Sequence, residues 1–315
     1  MVQLERAKNN PILIPNRTNW WESKAVFNCS VLYDGITVHM LYRAIGEYHD
    51  YVSRIGYACS NDGIVFHRRN QVAICPEKDF EKFGMEDPRL SKLGNQIIVS
   101  YVVLSDYVRN KPTAATALAI TRNFCQYERL GIVTPHESDN KDVVFFSIGD
   151  GSNGTQEHMM MLHRPSKWIG TAYGTQSPGI WLSEGDLLSS FNKHSLLLRP
   201  QEKWEQVKIG AGPAPIKTRK GWLVLYHGVS LDGVYSTGAF LMDLKNPYTV
   251  LGRTRKPILV PEAEYEKKGD VSNVVFPCGA CVIGEDLYVY YGGADKVCCL
   301  ATIELDSLLE YVLSN

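Results

Sequence analysis

The sequence lacks both an excess of charge of one sign and any long apolar run. Its 33 basic and 34 acidic residues leave a formal net charge of −1, so it has no electrostatic footprint for nucleic acid or an anionic membrane. No stretch approaches the roughly 18 apolar residues of a membrane span, and the first residues contain no apolar leader core. We therefore expect a cytoplasmic protein with small-molecule partners, no nucleic acid and no membrane.

A metal-ligand pattern is also missing. Of the eight cysteines, only Cys278 and Cys281 have metal-like spacing, and no second pair or nearby histidine completes four ligands. Most of the other cysteines lie in apolar, strand-like runs, where a free thiol behaves as a small hydrophobic group. The sequence therefore predicts no metal and no other cofactor.

A long helical period is absent as well. The chain is a succession of short apolar strands broken by glycine, asparagine, aspartate and proline, which predicts an all-β protein. Its 315 residues would by length alone suggest about two domains. The internal repeat described next favours a single domain over residues 1–315.

One unit recurs about every 60 residues, a little longer than common propeller repeats. Each copy begins with an apolar run that ends in proline. The five runs are Ile12–Pro15, Val72–Pro76, Gly131–Pro135, Leu197–Pro200 and Ile258–Pro261. A four-stranded unit of this size cannot bury both faces alone, whereas five units arranged radially can. The repeat thus predicts a five-bladed β-propeller.

The two ends of the chain complement each other. The fifth unit ends without its outer strand, and an unassigned run, Pro11–Pro15, begins the chain. We therefore expect the N-terminal strand to close the last blade, which removes two sheet edges at once. Residues 306–313 are expected to form a short capping helix.

An aromatic–glutamate pair follows four of the five runs, and the third copy lacks it. The pairs are Trp21–Glu22, Phe80–Glu81, Trp204–Glu205 and Tyr265–Glu266. Counting on equally from each glutamate reaches Asn28, Asp87, Ala211 and Ser272. Asp87 thus occupies a repeated position at the start of an apolar strand.

The segment Gly84–Arg89 carries acids, a proline and a guanidinium at the head of that strand. A Gly94–Asn95 turn makes the strand the first half of a hairpin. Pro88 as the first residue of the strand would fix the approach of Asp87 without losing a ladder bond. A simple strand-start turn with a local ion pair is the alternative interpretation.

Equivalent strand ends of a propeller converge on the mouth of its central channel. The polar residues at those positions are Asn28, Arg43, Asp87, Arg164, Lys208, His227 and Asp295. One acid, Asp87, would then face four possible cations. A hydrolytic glycosidase normally needs two carboxyl groups. A phosphorolytic enzyme needs only the acid, because phosphate is already an anionic nucleophile and can be bound by cationic side chains. This composition favours phosphorolysis, although Asp295 could be a second carboxylate and any single cation could be a channel-wall residue.

Together the motifs resemble glycoside hydrolase family 130, the inverting β-mannoside phosphorylases and related mannosidases. The matching segments are 10–13, Trp21–Glu22 with 26–28, Tyr42–Arg43, Glu86–Arg89, Leu162–Pro165, Lys208–Pro213, Tyr226–Gly228 and Tyr291–Asp295. The resemblance implies a five-bladed propeller, with Asp87 as general acid delivering its proton through a mannose hydroxyl. It also implies α-mannose 1-phosphate as the product and inorganic phosphate as co-substrate.

By the same resemblance, a phosphate cradle and a sugar site can be assigned. The phosphate residues are Arg164, Lys208, His227 and Tyr235, and the mannose ligands are Asn28, Arg43 and Asp295. Members of this family often assemble, so a homo-oligomer is expected. One departure is that Lys141–Phe146 runs directly into 147–151, without the Pro-Glu-Lys-like segment of many phosphorolytic relatives. A changed loop there is expected to alter oligosaccharide reach.

Three functions remain open from the sequence. The first is a phosphorylase acting on β-1,4- or β-1,2-linked manno-oligosaccharides. The second is a hydrolytic β-mannosidase on the same scaffold, and the third is a non-catalytic sugar-binding propeller. The linkage, β-1,4 or β-1,2, depends on the loops of the acceptor subsite, and the sequence does not reveal the conformations of these loops.

Overall fold

Five antiparallel sheets surround a common axis in the computed structural model, which describes residues 2–108, 111–134, 138–149, 158–185 and 191–315. Neighbouring sheets contact each other around the whole ring, including the first and the last. The predicted five-bladed β-propeller is therefore confirmed. Within these ranges, no helix has the length and apolar character needed to cross a bilayer.

Each blade pairs its strands in chain order from the axis outward. Blade 1 contains β2 (Ala25–Tyr33), β3 (Val38–Ile45), β4 (Arg54–Ser60) and β5 (His67–Arg68). Blade 2 contains β6 (Met85–Leu93), β7 (Gln96–Val108), β8 (Lys111–Thr121) and β9 (Glu128–Ile132). Blade 3 contains β10 (Asn140–Ile148), β11 (His158–Pro165), β12 (Ile180–Gly185) and β13 (Lys193–Leu198).

The last two blades depart slightly from this plan. Blade 4 contains β14 (Lys208–Ala211), β15 (Ile216–Thr218), β16 (Gly221–Val229), β17 (Tyr235–Met242) and β18 (Val250–Arg253), and both β14 and β15 pair with β16. Blade 5 contains β19 (Val275–Ile283), β20 (Asp286–Gly293), β21 (Val297–Glu304) and β1 (Glu5–Arg6). Two short helices are α1 (Glu264–Lys267) and α2 (Leu305–Leu313).

The N-terminal strand closes the ring, as predicted, but the paired residues lie earlier than expected. Glu5 pairs with Thr302 and Arg6 with Ala301, whereas the run Pro11–Pro15 forms only one isolated bridge, from Leu13. The prolines at both ends of that run have no N–H to donate to a ladder. The capping helix is confirmed as α2, which buries its apolar face against blades 4 and 5.

One apolar cluster lies between each pair of neighbouring blades. A blade is therefore buried on both faces only within the complete ring. Because both faces of the strands are buried, their sequences are nearly continuous apolar runs.

In four blades the glutamate of the aromatic–glutamate pair is the centre of a buried hydrogen-bond network. Each glutamate is fully buried and binds a tyrosine hydroxyl of the second strand and an arginine of the outermost strand. The four trios are Glu22–Tyr42–Arg68, Glu81–Tyr101–Arg129, Glu205–Tyr226–Arg253 and Glu266–Tyr291–Arg6. We call each trio a Glu–Tyr–Arg lock.

The lock of blade 4 shows how the connector is held. The carboxylate of Glu205 accepts hydrogen bonds from the Tyr226 hydroxyl at 2.6 Å and from Nη2 of Arg253 at 2.6 Å. It also accepts two backbone N–H groups of its own connector, from Gln201 at 3.0 Å and Glu202 at 3.3 Å. One buried anion therefore fixes the connector, the second strand and the outer strand together.

Blade 3 replaces the lock with a neutral chain. His163 takes the tyrosine position and is bonded to Asn140 at 2.9 Å and to the Ser183 hydroxyl at 2.8 Å. Burial lowers the pKa of His163 to about 3, so the imidazole is uncharged at neutral pH. A neutral ring needs no buried counter-ion, which fits the missing glutamate of the third repeat.

A charge-removing change at a lock should destabilise the protein strongly. In Glu205→Gln, Arg253 would lose its buried anionic partner and an amide N–H would face other donors, so we expect a loss of about 3 kcal/mol in the free energy of unfolding. Urea unfolding would measure it. The matched control, exposed Glu128→Gln, should change by less than about 0.5 kcal/mol. Equal stabilities of the two variants would contradict a stabilising lock.

Candidate active site

Three β-bulges turn polar side chains toward the axis at one end of the ring. In β2, β6 and β10 the register with the second strand shifts at the third or fourth residue. Within each shift one residue has a left-handed backbone: Asn28 at φ 49°, Asp87 at φ 48° and Asp142 at φ 58°. Asn and Asp tolerate this region better than other side chains. The bulges thus re-aim one polar group per blade into the channel mouth.

Pro88 does not open its strand, contrary to the sequence-based expectation. The strand β6 begins at Met85, and Pro88 lies inside the register shift between Glu86 and Arg89. A bulge leaves a residue unpaired, so it accepts proline in mid-strand. The Gly94–Asn95 hairpin turn between β6 and β7 is as predicted.

All eight residues assigned from the sequence line a single cavity of about 160 Å³ at this end of the axis. They are Asn28, Arg43, Asp87, Arg164, Lys208, His227, Tyr235 and Asp295. The structure therefore brings together segments from all five blades, with Asp295 contributed by the turn after β20. We call this cavity the axial pocket.

Asp87 is held by two donors on one oxygen. Nδ2 of Asn28 donates to its Oδ1 at 2.8 Å, and Nη1 of Arg43 approaches the same atom at 3.4 Å. In the described part of the chain, Oδ2 accepts no hydrogen bond, which leaves it available to a ligand. Gly292 permits this arrangement, because a Cβ there would lie 2.1 Å from Oδ1 of Asn28.

The guanidinium of Arg43 is itself fixed from behind. It donates to Oε1 of Glu86 at 2.7 Å and to the Ser53 hydroxyl at 2.9 Å. Glu86 is buried, and despite that burial Arg43 and Lys141 hold its pKa below the usual range. Glu86 is therefore an ionised anchor for Arg43.

The expected ratio of one acid to four cations is wrong. Glu86 and Asp142 also line the axial pocket, together with Asp295 and one further cation, Lys141. Nε of Arg164 donates to Oδ2 of Asp142 at 2.6 Å. Although burial opposes ionisation, Arg164 and its neighbours hold the pKa of Asp142 well below its usual range.

Sequence reasoning missed Lys141 and Asp142, although a signal was present. Asn28 and Asp87 are 59 residues apart, and Glu86 and Lys141 are 55 apart, so Lys141–Asp142 is the third copy of Glu86–Asp87. The count began from the aromatic–glutamate pairs, which the third repeat lacks. Nζ of Lys141 lies 3.4 Å from Oε2 of Glu86.

The close packing around Asp142 requires a glycine on the neighbouring blade. A Cβ at Gly210 would lie 2.2 Å from Oδ2 of Asp142 and 2.5 Å from Cε1 of His227. This explains the glycine in the Lys208–Ile209–Gly210 segment: β14 approaches the ion pair too closely for any side chain.

His227 is a neutral imidazole rather than one of four cations. Burial lowers its pKa well below the usual value, and the nearby Asp142 carboxylate at 3.9 Å does not compensate. Within the described residues both of its ring nitrogens are buried without a hydrogen-bond partner. Such unsatisfied atoms lining a pocket are suited to bind a ligand.

Lys208 and Asp295 have shifted pKa values for related reasons. Burial and the neighbouring Arg164 lower the pKa of Lys208 to about 8. Burial and the nearby Asp87 raise the pKa of Asp295 to about 7. Asp295 lies in the turn after β20 with a left-handed backbone at φ 50°. Both groups therefore titrate close to neutral pH, as residues of functional sites often do.

Two other groups of residues that the sequence analysis considered, the cysteine pair and residues 147–149, do not line the axial pocket. Among the residues described, no three His, Cys, Asp or Glu side chains are arranged to hold a metal ion, and Cys278 and Cys281 are buried along β19. Ser147 and Ile148, expected to alter oligosaccharide reach, lie at the opposite end of β10 from Asp142. Residues 150–151 of that segment lie outside the described ranges.

Comparison with known proteins gives consistent matches over the whole chain. A family model described as "beta-1,4-mannooligosaccharide phosphorylase" matches residues 3–314. A 1,2-beta-oligomannan phosphorylase of Thermoanaerobacter sp. (strain X514) is 38% identical over 98% of this chain and 99% of that protein. A beta-1,2-mannobiose phosphorylase of the same organism is 35% identical over 98% and 99%.

A solved structure agrees in the arrangement of the chain. The beta-1,2-mannobiose phosphorylase of Listeria innocua, in complex with beta-1,2-mannobiose, superposes with a TM-score of 0.84 at 29% identity, covering 99% of each chain.

The raised pKa of Asp295 predicts a pH-dependent cost of folding. Between about pH 4 and pH 7 the folded wild type holds a proton that the unfolded chain has lost, so its free energy of unfolding falls as pH rises. Asp295→Asn has no such titration. We expect the stability of the variant relative to wild type to increase by about 3 kcal/mol from pH 4.5 to pH 8 in urea unfolding. Exposed Asp286→Asn is the control, and a flat difference for Asp295→Asn would contradict the expectation.

Proposed function

Because this chain belongs to glycoside hydrolase family 130, we propose that it is an inverting β-mannoside phosphorylase in which Asp87 is the general acid and inorganic phosphate is the nucleophile. The observation that carries this proposal is the axial pocket, where one carboxylate with a free oxygen faces Arg164, Lys208 and His227. These are groups suited to an anion. The activity is that of a hexosyltransferase-type phosphorylase.

The two sides of the axial pocket carry different groups of residues, one suited to the sugar and one suited to phosphate. Asn28, Arg43 and Asp295 surround Asp87 on the blade 1 and blade 5 side, where they can bind hydroxyls of one mannose ring. The second group, on blades 3 and 4, is Arg164, Lys208, His227 and Tyr235. Phosphate bound there would be next to the sugar, which is the positioning that an in-line displacement needs.

The proposed reaction exchanges one bond at the anomeric carbon. The bond from that carbon to the glycosidic oxygen breaks, and a bond to a phosphate oxygen forms on the opposite face, which inverts the configuration and gives α-mannose 1-phosphate. Asp87 supplies the proton that the departing oxygen takes up, through a mannose hydroxyl, and recovers a proton from solvent. The fixed cations offset the charge of the attacking phosphate throughout.

The volume of the pocket supports release of one sugar at a time. A cavity of about 150 Å³ holds a single benzene-sized molecule, and the axial pocket measures about 160 Å³. We propose action on the terminal mannose of a β-1,2-linked manno-oligosaccharide. The β-1,2 linkage is supported by the names of both Thermoanaerobacter relatives and of the Listeria structure.

One observation favours hydrolysis as a second candidate. With a pKa raised to about 7 by burial and by Asp87, Asp295 could accept a proton from water near neutral pH. The paired state of the other carboxylates opposes this function, since Glu86 and Asp142 each bind a guanidinium.

The cellular setting is part of the proposal. All eight cysteines are free, as is usual in a reducing compartment, which supports a cytoplasmic location. Assembly into a homo-oligomer stays a prediction.

Phosphate dependence and the loss of Asp87 test the proposal. Incubated with β-1,2-mannobiose, the wild type should release α-mannose 1-phosphate only when phosphate is present, as detected by NMR. Asp87→Asn should lower kcat by about two to four orders of magnitude, the usual contribution of proton transfer. The control Asp232→Asn, an exposed carboxylate on the loop before Tyr235, should retain activity. Release of free mannose without phosphate would establish the hydrolase, and unchanged binding without any turnover would indicate a sugar-binding protein.

Phosphate use should weaken in alkaline solution because Lys208 loses its proton. Its pKa, lowered to about 8 by burial and Arg164, places the loss of charge in that range, and kcat/KM for phosphate reports the free enzyme. We expect kcat/KM for phosphate to fall about ten-fold per pH unit above pH 8. In Lys208→Arg, which stays protonated, the curve should be flatter. Parallel curves for the two proteins would remove Lys208 from phosphate binding.

A further inference from the structure

Arg89 is a charged residue of the Gly84–Arg89 segment that has no part in the proposed reaction. It lies in β6, two residues beyond Asp87, and only 2% of it is exposed. An arginine side chain stays protonated in a protein, because its pKa is above about 12. The inner strand of blade 2 therefore carries a positive charge that is shielded from water.

The guanidinium of Arg89 contacts two other blades across the channel. Its Nη2 lies 3.4 Å from Oδ1 of Asp142 on blade 3, and its Nη1 lies 3.4 Å from the carbonyl oxygen of Pro277 on blade 5. Its Cζ is 5.2 Å from the centre of the Phe276 ring. Asp142 and Phe276 both line the axial pocket. Arg89 is therefore directly behind the wall of that pocket.

These contacts satisfy the guanidinium of Arg89 only weakly. A charge-assisted bond from N–H to a carboxylate oxygen is usually about 2.8 Å long, whereas both contacts of Arg89 measure 3.4 Å. Its Nε is buried without a hydrogen-bond partner among the described residues. A buried charge with so little compensation destabilises a fold, and its presence calls for a functional reason.

Asp142 connects Arg89 to the phosphate side of the axial pocket. Its Oδ2 accepts the hydrogen bond from Nε of Arg164 at 2.6 Å and lies 3.9 Å from Nε2 of His227. Its Oδ1 faces Arg89. One carboxylate is thus held between two guanidiniums, which orients the oxygen that binds Arg164.

The balance of charge among Asp142 and the residues assigned to phosphate depends on Arg89. Ionised Asp142 cancels the charge of Arg164, and His227 is neutral, which leaves Lys208 as the remaining cation of that group. With Arg89 included, three cations stand against one carboxylate, so two positive charges are unmatched. A phosphate dianion needs that number. In a site shielded from water, such a charge acts over several ångströms.

We propose that Arg89 is a positioning residue for phosphate that acts through Asp142. It holds Oδ1 of Asp142 so that Oδ2 orients Arg164, and its charge offsets a carboxylate that would otherwise repel the arriving anion. This inference rests on the proposed phosphorylase function, to which it adds a residue outside the axial pocket.

Neutralising Arg89 tests the proposal. In Arg89→Met, KM for phosphate should rise at least about ten-fold because one attractive charge is lost, while KM for β-1,2-mannobiose should stay within about two-fold of wild type. Arg89→Lys keeps the charge and should recover most of the phosphate affinity. Equal increases in both KM values, or an unchanged KM for phosphate in Arg89→Met, would overturn the proposal.

The matched control is Arg129→Met, which removes another buried arginine of blade 2. Arg129 binds Glu81 in the lock of that blade, with Nε 3.3 Å from Oε1, and has no contact with the axial pocket. We expect this variant to unfold at lower urea concentration than wild type, with both KM values unchanged. It shows what the loss of a buried arginine does when phosphate is not involved.

A compensating change separates the effect of charge from structural damage. Adding Asp142→Asn to Arg89→Met restores the original balance of charge, so the double variant should bind phosphate at least about five-fold more tightly than Arg89→Met in calorimetry. If Arg89→Met does not fold alone, the comparison is with Asp142→Asn, which should bind phosphate at least about ten-fold more tightly than the double variant. Equal affinities in the available comparison would overturn the role of Arg89.

The outcome for Arg89 is distinct from the outcome for the proposed function. Phosphate-independent release of free mannose by the wild type would overturn the proposed function. Wild-type phosphate affinity in Arg89→Met, measured by calorimetry with inorganic phosphate, would overturn the role of Arg89 and leave the phosphorylase standing.

Discussion

A buried carboxylate that accepts hydrogen bonds from a tyrosine, an arginine and its own connector determines where four of the five inner strands begin. In each lock the anion is solvated by the protein, since fully desolvated glutamate is tolerated only with strong donors around it. The lock connects the inside and the outside of a blade through one side chain. Because Asn28 and Asp87 each follow their glutamate by the same short segment, the bulges that aim them are placed by the same constraint.

The repeat made the fold predictable. It made the site residues predictable only in those repeats that share the same spacing from the glutamate. Spacing alone located Asn28 and Asp87. It failed at Ser272, because an insertion delays the start of β19 until Val275. It also failed at Asp142, because the third repeat has no lock from which to count. Neither the bulges nor the ion pair behind Arg164 has a signature in one sequence, since both depend on how neighbouring strands pair within a blade.

The axial pocket is polar, yet most of its charges are already matched. Arg164 binds Asp142, and Arg43 binds Glu86, so these guanidiniums are oriented without a ligand. The two remaining groups differ, because burial keeps His227 uncharged at neutral pH, whereas Lys208, with its pKa lowered to about 8, still carries most of its charge there. An arriving dianion would therefore meet fixed donors together with one neutral imidazole, whose pKa a bound anion would raise.

The fourth lock determines when the ring can close during synthesis of the chain. Its arginine, Arg6, comes from the first strand, while its glutamate and tyrosine belong to the last blade. On the ribosome the N-terminal segment emerges first and must wait for nearly the entire polypeptide before it meets its partners. Asp295 is placed by that same blade, so the axial pocket is completed only after the last blade has been synthesised. A truncated nascent product would leave an open sheet edge and no competent pocket.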